Sequence, residues 1–342
     1  MDDAARSRRL RVGVVGLGRL WESRHKPSLA RRPDRFQVTA VYDQVARRAE
    51  IEAGQLGCAA CDGVASLIAR PDVDVVYLTA SQWFGPHAAF LAREAGKPVY
   101  CALPLAGDLD ELERLAARVD ESGVVFTPEF ARRCYPATTR LRDLLATTLG
   151  RPRLIVGQSW ISGYDRYAQP GPGTRIASAP LAVDPGGYLL DWCAFVLGAD
   201  PTAVSAAGAR VLSRRATAGD DRDLDFDSFT ARFPDGATAQ VSFGLYHRGE
   251  WGEADRFLPP SGFQVFAERG AAWVEMPDRV RWWDAEGPHE ERLPVDPTVG
   301  DVLNDQFYRL VVGEPSAAPT IQDALAVARL VAALERGRAE AD

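Results

Sequence analysis

Residues 10–25 read LRVGVVGLGRLWESRH, a compact β-branched run that breaks at the pair Gly16 and Gly18. A strand that ends in Gly-x-Gly and passes into a helix-compatible stretch is the opening of a dinucleotide-binding unit. The first glycine makes a tight turn, and the second lets the backbone approach a pyrophosphate. The following helix then offers unpaired N–H groups to the phosphates. Gly16 and Gly18 are therefore candidate cofactor residues, with Arg19 and Leu20 completing the turn. The third position of the fingerprint is Trp21 in place of Gly or Ala. That position normally permits close packing of helix on strand, so Trp21 is a departure from the fingerprint and the residue that could defeat dinucleotide binding by blocking the pyrophosphate site. Asp43 closes the next strand-like run, Phe36–Asp43, 25 residues past Gly18, where a carboxylate binds ribose hydroxyls. The same carboxylate repels a 2′-phosphate, which favours NAD over NADP. Arg47 and Arg48 beside it weaken that preference and keep NADP possible, although both also fit a solvated helix face.

Outward from this stretch, strand-like runs at Val73–Ala80, Pro98–Cys101 and Val124–Thr127 alternate with helical patterns. The helical spacing covers Val45–Leu56, Gly63–Arg70, His87–Ala95 and Leu109–Ser122. Regular strand–helix alternation implies parallel pairing, hence an α/β, doubly wound parallel sheet over residues 1–128. Beyond Phe130 the texture changes. Leu141–Leu149 reads helical, and longer strands follow at Arg153–Ser162, Val204–Ser213, Phe226–Phe233, Ala237–Tyr246, Phe263–Ala267, Ala271–Glu275 and Val280–Asp284. Residues 129–342 are thus expected to form an α+β domain on a large, antiparallel-rich sheet. Its final amphipathic helix, residues 321–336, packs back.

Composition agrees with a globular enzyme-sized chain. The 342 residues are 46% hydrophobic and 25% charged, which excludes a disordered or collagen-like protein. Forty basic against 47 acidic residues give a net charge of −7, which argues against nucleic acid or an anionic membrane as partner. No apolar run approaches the ~18 residues of a membrane helix. MDDAARSRRL carries no apolar segment of the secretory type, and five cysteines do not suit a disulfide framework, so a reducing cytoplasm is expected.

The chain resembles the Gfo/Idh/MocA family of sugar and cyclitol oxidoreductases over essentially its whole length. The resemblance rests on GLGRLWESRH (16–25), VYDQVARRA (41–49), PDVDVVYLTASQWFGPHAAFLAREAGKPVYCALPL (71–105), FARRCYP (130–136) and DPGGYLLDWCAF (184–195). It implies a Rossmann domain, then a domain whose large open mixed sheet floors the substrate site and often forms an oligomer interface. A homo-oligomer is expected on that ground, helped by the large side chains of Ala271–Glu275 and Arg281–Trp283.

The departures from the family pattern fall on its chemistry. Its E-K-P signature reads Ala102-Leu103-Pro104 here, so Pro104 is retained as a cofactor-side residue while the acid and the lysine are gone. Its G-G-x-L-x-D-x-G-x-H signature reads Gly186-Gly187-Tyr188-Leu189-Leu190-Asp191-Trp192-Cys193-Ala194-Phe195. Asp191 matches, and the histidine of general acid–base work is Phe195. Leucine and phenylalanine exchange no proton. The chain has only two lysines, Lys26 and Lys97, and neither is expected to reach substrate. The remaining proton-carrying candidates are Asp191 with Tyr188, and His87, which also reads as a structural histidine at a helix N-terminus.

Residues 160–187 form a long Gly/Pro-rich segment with Trp160, Tyr164, Asp165, Arg166, Tyr167 and Arg175, suited either to a sugar-like ring or to a lid. Arg132 and Arg133 suit a substrate anion or a surface ion pair. Cys58-x-x-Cys61 lacks a second metal-ligating pair, and Asp223, Asp225 and Asp227 lack the glycine and the twelfth ligand of a calcium loop. Two readings stay open: hydride transfer on a sugar, polyol or related hydroxy compound through an atypical site, or an inactive relative serving as sensor or partner subunit.

Overall fold

Leu10, Val12, Val14 and Val15 are fully buried along the first strand, β1 (Leu10–Val15), as in a strand covered on both faces. The computed structural model describes residues 8–102, 109–162, 186–209, 226–246 and 261–339. After β1 come α1 (Lys26–Arg31), β2 (Phe36–Tyr42), α2 (Ala46–Leu56), β3 (Ala59–Ala60), α3 (Val64–Ile68), β4 (Val75–Leu78), α4 (Ser81–Glu94), β5 (Val99–Cys101), α5 (Leu109–Ser122) and β6 (Phe126–Pro128). The six strands lie in the order β3-β2-β1-β4-β5-β6, every pair parallel. The order reverses between β1 and β4, which makes the carboxyl end of β1 a topological switch point. Gly16–Gly18 sits there. Helix α4 starts six residues ahead of the expected His87, because it runs through Pro86 instead of beginning after it.

The second unit contains α6 (Pro136–Leu144), β7 (Pro152–Ser162), α7 (Tyr188–Leu197), β8 (Ala203–Ala209), β9 (Phe226–Arg232), β10 (Thr238–Tyr246), β11 (Gly262–Ala267), β12 (Gly270–Glu275), β13 (Arg279–Asp284) and β14 (Gly287–Arg292). Its eight strands lie in the order β14-β13-β12-β11-β7-β10-β9-β8. Only β7 and β10 pair in parallel, so the sheet is mixed as the resemblance implies. Leu141, Leu144, Leu189, Trp192, Phe229 and Phe243 join one buried core. Within it the Trp192 ring lies 4.6 Å from Phe263, and its Nε1 donates to Thr138 Oγ1 at 3.0 Å. Strand β14 has no apolar alternation in its residues, GPHEER, and so leaves no strand signal in the sequence. It is an edge strand, held by its backbone pairing and by Arg279 donating to Glu290 at 2.7 Å.

Two helices follow, α8 (Val299–Val311) and α9 (Ile321–Ala339). The chain divides into Met1–Ala131 with Asp296–Leu325, and Arg132–Val295 with Ala326–Asp342. Residues 296–325, expected from the sequence in the 129–342 domain, therefore fold with the first unit. The reason lies in α8: Tyr77 O–H donates to Asn304 at 3.2 Å, Asn304 Nδ2 donates to Ser28 at 2.8 Å, and Phe307 packs edge-on against Tyr77 and Tyr100. The first residues of α9 go with that unit, whereas Leu334 joins the core of the second. Among the described residues no helix is long and apolar enough to cross a membrane, and no group of three metal-ligating side chains occurs. Cys58 and Cys61 flank β3 as free, half-buried thiols, and burial pushes Cys58 up to about 11.

Candidate active site

The glycine turn of the first unit has the form the sequence implies. Gly16 has φ +93°, and a Cβ there would lie 2.3 Å from Ala80 Cβ, so only glycine fits. A Cβ on Gly18 would meet nothing within 4 Å, which leaves open room over the turn. Asp43, 8% exposed, accepts the Leu17 N–H at 2.8 Å and the Val45 N–H at 2.9 Å. Arg48 Nη1 stands 3.3 Å from both Asp43 oxygens, whereas Arg47 pairs with Glu50 on the solvated face of α2. Arg19 is exposed and Leu20 half-buried at the start of the next turn.

Trp21, the departure from the fingerprint, turns inward and does not lie over this turn. It is fully buried, with Nε1 donating to Glu52 at 2.8 Å, and Lys26 Nζ holds the other Glu52 oxygen at 2.8 Å. Residues Trp21–His25 widen into a π-turn, which accommodates the indole where glycine or alanine would allow an ordinary α-turn. Lys97 Nζ is spent on backbone carbonyls, with Arg70 at 2.6 Å and Ile68 beside it. Both lysines are thus engaged by contacts within the first unit. A dinucleotide fits this turn: Gly16 shapes it, Gly18 leaves it uncovered, and Asp43 stands at the end of β2.

The first unit also holds a buried cluster that no sequence motif marks. Glu129, which follows β6, is 3% exposed and accepts Tyr100 O–H at 2.8 Å, with His25 Nε2 at 2.9 Å on the same oxygen. Arg24 donates to its other oxygen. Burial alone would raise this carboxyl, but His25, Arg24 and Tyr100 outweigh it and hold Glu129 at about 2. Burial pushes the Tyr77 and Tyr100 phenols well above their ordinary value, with Glu129 adding to it. The Glu129 N–H donates to Cys101 O at 2.8 Å, which ties Glu129, just past the end of β6, to the end of β5. A signal was present: Glu129 is the one acid in the run VVFTPEFA.

In the second unit, Tyr188, Asp191 and Phe195 stand at i, i+3 and i+7 of α7 and share one face. Arg133 Nε donates to both Asp191 oxygens at 3.1 and 3.0 Å, and Asp191 is 2% exposed. The Arg133 guanidinium also lies 5.2 Å from the Phe195 ring centre, with Arg142 4.3 Å away over the same ring. Arg132 lies 5.7 Å over Tyr188. The two sequence alternatives for Arg132 and Arg133 thus separate: Arg133 is an internal ion pair, and Arg132 is not part of it.

His87 is exposed on α4 in the first unit, seven residues into the helix and not at its N-terminus. Trp160 is half-buried on β7, 6.1 Å from Phe226. Leu103, Pro104, Tyr164, Asp165, Arg166, Tyr167, Arg175, Asp223 and Asp225 lie outside the described residues.

A parallel sheet in this strand order, with a glycine turn at its switch point and an acid closing β2, defines a dinucleotide-binding α/β fold. Residues 10–130 match the model of the oxidoreductase family with an NAD-binding Rossmann fold. The chain is 29% identical over 283 residues to dTDP-3,4-didehydro-2,6-dideoxy-alpha-D-glucose 3-reductase of Actinomadura kijaniata, covering 77% of this chain and 80% of the relative. To the enzyme of the same name from Streptomyces violaceoruber it is 30% identical over 247 residues, covering 70% and 68%. The solved structure of levoglucosan dehydrogenase with NADH and levoglucosan has a TM-score of 0.83 at 18% identity, over 98% of each chain, which shows the shared fold. The chain belongs to this family, Gfo/Idh/MocA, and is an NAD(P)-dependent oxidoreductase.

Proposed function

We propose that this oxidoreductase transfers a hydride to or from a carbinol carbon of a sugar, polyol or related hydroxy compound, with Tyr188 in place of the family's lysine and histidine as proton carrier. The observation that carries this reading is the α7 face, where a phenol stands one turn from a fixed carboxylate–guanidinium pair. The nicotinamide, when bound, supplies the hydride acceptor or donor. The chain's own residues do the rest. Gly16–Gly18 supply the turn for the pyrophosphate, and Asp43, with lone pairs left beside its two amide bonds, accepts ribose hydroxyls. Arg48, exposed beside it, offers a cation to a 2′-phosphate, which keeps NADP in range. Arg19, Leu20 and Pro104 belong to the same cofactor side by the family resemblance.

When a carbonyl is reduced, its oxygen gains negative charge and needs a proton. The Tyr188 O–H is a group on this face that can give one, and in the reverse direction take it from the hydroxyl. Asp191 plays a different part. Both its oxygens are engaged by Arg133, which fixes the guanidinium. Asp191 is therefore a positioning residue. His87, exposed on α4, is the weaker alternative.

The test is turnover of a polyol and aldose panel with NAD and NADP, beside calorimetric titration of the reduced dinucleotides. Tyr188→Phe is expected to lose ~10²–10⁴-fold in kcat with dinucleotide affinity unchanged. Asp43→Ala is expected to weaken NADH more than NADPH. Absence of dinucleotide binding at millimolar concentration, or full turnover in Tyr188→Phe, defeats the reading.

A further inference from the structure

We infer that the substrate carries an anionic group, a carboxylate or a phosphate, and that Arg132 receives it; this rests on the reading of the α7 face as the substrate face. The charge on that face does not balance among the described residues. Three guanidiniums, Arg132, Arg133 and Arg142, meet the stripe Tyr188–Asp191–Phe195, and Asp191 is engaged by Arg133. Neither Arg132 nor Arg142 has an acidic partner among the described residues. The excess is local, because the whole chain has 47 acids against 40 bases.

The two spare cations are not equivalent. Arg142 is exposed at the Phe195 end of the face, about two helical turns or ~10 Å from the Tyr188 end. There it is hydrated and contributes a field. Arg132 is half-buried, with its guanidinium over the Tyr188 ring. A guanidinium attracted to the π-face of a ring spends none of its N–H donors in a hydrogen bond, and those donors match a carboxylate or phosphate in a two-pronged bond. The ring therefore orients Arg132 without consuming its donors. The proton carrier and the anion seat then share one residue contact, so an anion bound there sets the distance of the substrate from the Tyr188 oxygen. Phe195 fits the same picture. An apolar ring between two guanidiniums adds no negative charge that would compete for them.

Carboxylate and phosphate share this chemistry, and the experiment separates them. The full-length protein, with and without NADH, is titrated calorimetrically with D-glucose, D-glucuronate, D-glucose 6-phosphate and inorganic phosphate. The same series is run on Arg132→Gln and Arg132→Lys. At least one anionic compound is expected to bind tenfold or more tightly than glucose. Arg132→Gln should abolish that preference while leaving NADH affinity and Tm as they were, and Arg132→Lys should restore part of it, since lysine keeps the charge and loses the fork. The preference should also weaken in 0.5 M salt. Glucose binding as tightly as every anion, no saturable anion binding, or a preference that survives Arg132→Gln overturns the inference. Failure of the oxidoreductase reading looks different: anions bind through Arg132, but NADH does not bind and nothing turns over.

Discussion

Replacing Glu129 by glutamine tests whether its buried cluster holds the first unit together. The variant keeps the shape of the side chain and removes its charge. Tyr100 can still donate to the amide oxygen, but Arg24 and His25 lose the carboxylate that both face. Leaving a buried ion pair with one partner costs about 3–5 kcal/mol. The carboxyl itself gives a second route to the magnitude. Folding carries it from its ordinary 4.5 to about 2, which by linkage is worth about 3 kcal/mol at neutral pH. In a unit of this size such a loss lowers Tm by roughly 6–20 °C, read by scanning calorimetry. The pH dependence has a definite sign. Because the folded pKa is depressed, the stabilisation is complete above about pH 4.5 and is lost as pH falls toward 2. The stability gap between wild type and Glu129→Gln should therefore narrow across that window. A gap under 1 kcal/mol at pH 7, or an equal gap at pH 3 and pH 7, would refute the reasoning.

Two further substitutions separate folding from binding. Gly16→Ala places a Cβ 2.3 Å from Ala80 Cβ at φ +93° and should lose at least about 2 kcal/mol of stability. Gly18→Ala meets nothing within 4 Å; its Tm should stay close to wild type while NADH affinity falls, and equal losses of Tm in the two variants would contradict this. Phe195→His puts an imidazole between Arg133 and Arg142, which disfavours the imidazolium. Its pKa by NMR titration should fall below the ordinary ~6.5, and a higher value would show that the two guanidiniums do not act on that position.

The sequence alone determined the strand–helix order and the glycine turn of residues 10–128, because each signal there is local. A β-branched run, Gly16, Gly18 and an acid at Asp43 need no distant partner to be read, and the strand–helix alternation then leaves few topologies. Those strands pair as expected in a parallel sheet. That Leu103 and Phe195 carry no titratable group was equally plain in the letters. Tertiary structure decided what depends on residues far apart in the chain. Glu129 meets Arg24 and His25 across more than 100 residues, and no periodicity encodes such a pairing. Residues 296–325 join the first unit through Asn304 and Phe307, although chain order places them after the second sheet. Trp21 read as a residue that could block the turn because its bulk is visible in the sequence, while the widened turn and the Glu52 carboxylate that take the indole inward exist only once α2 has packed. Arg132 and Arg133 are adjacent and chemically identical. One is an internal ion pair and the other a spare cation only because α7 presents Asp191 to the first and Tyr188 to the second.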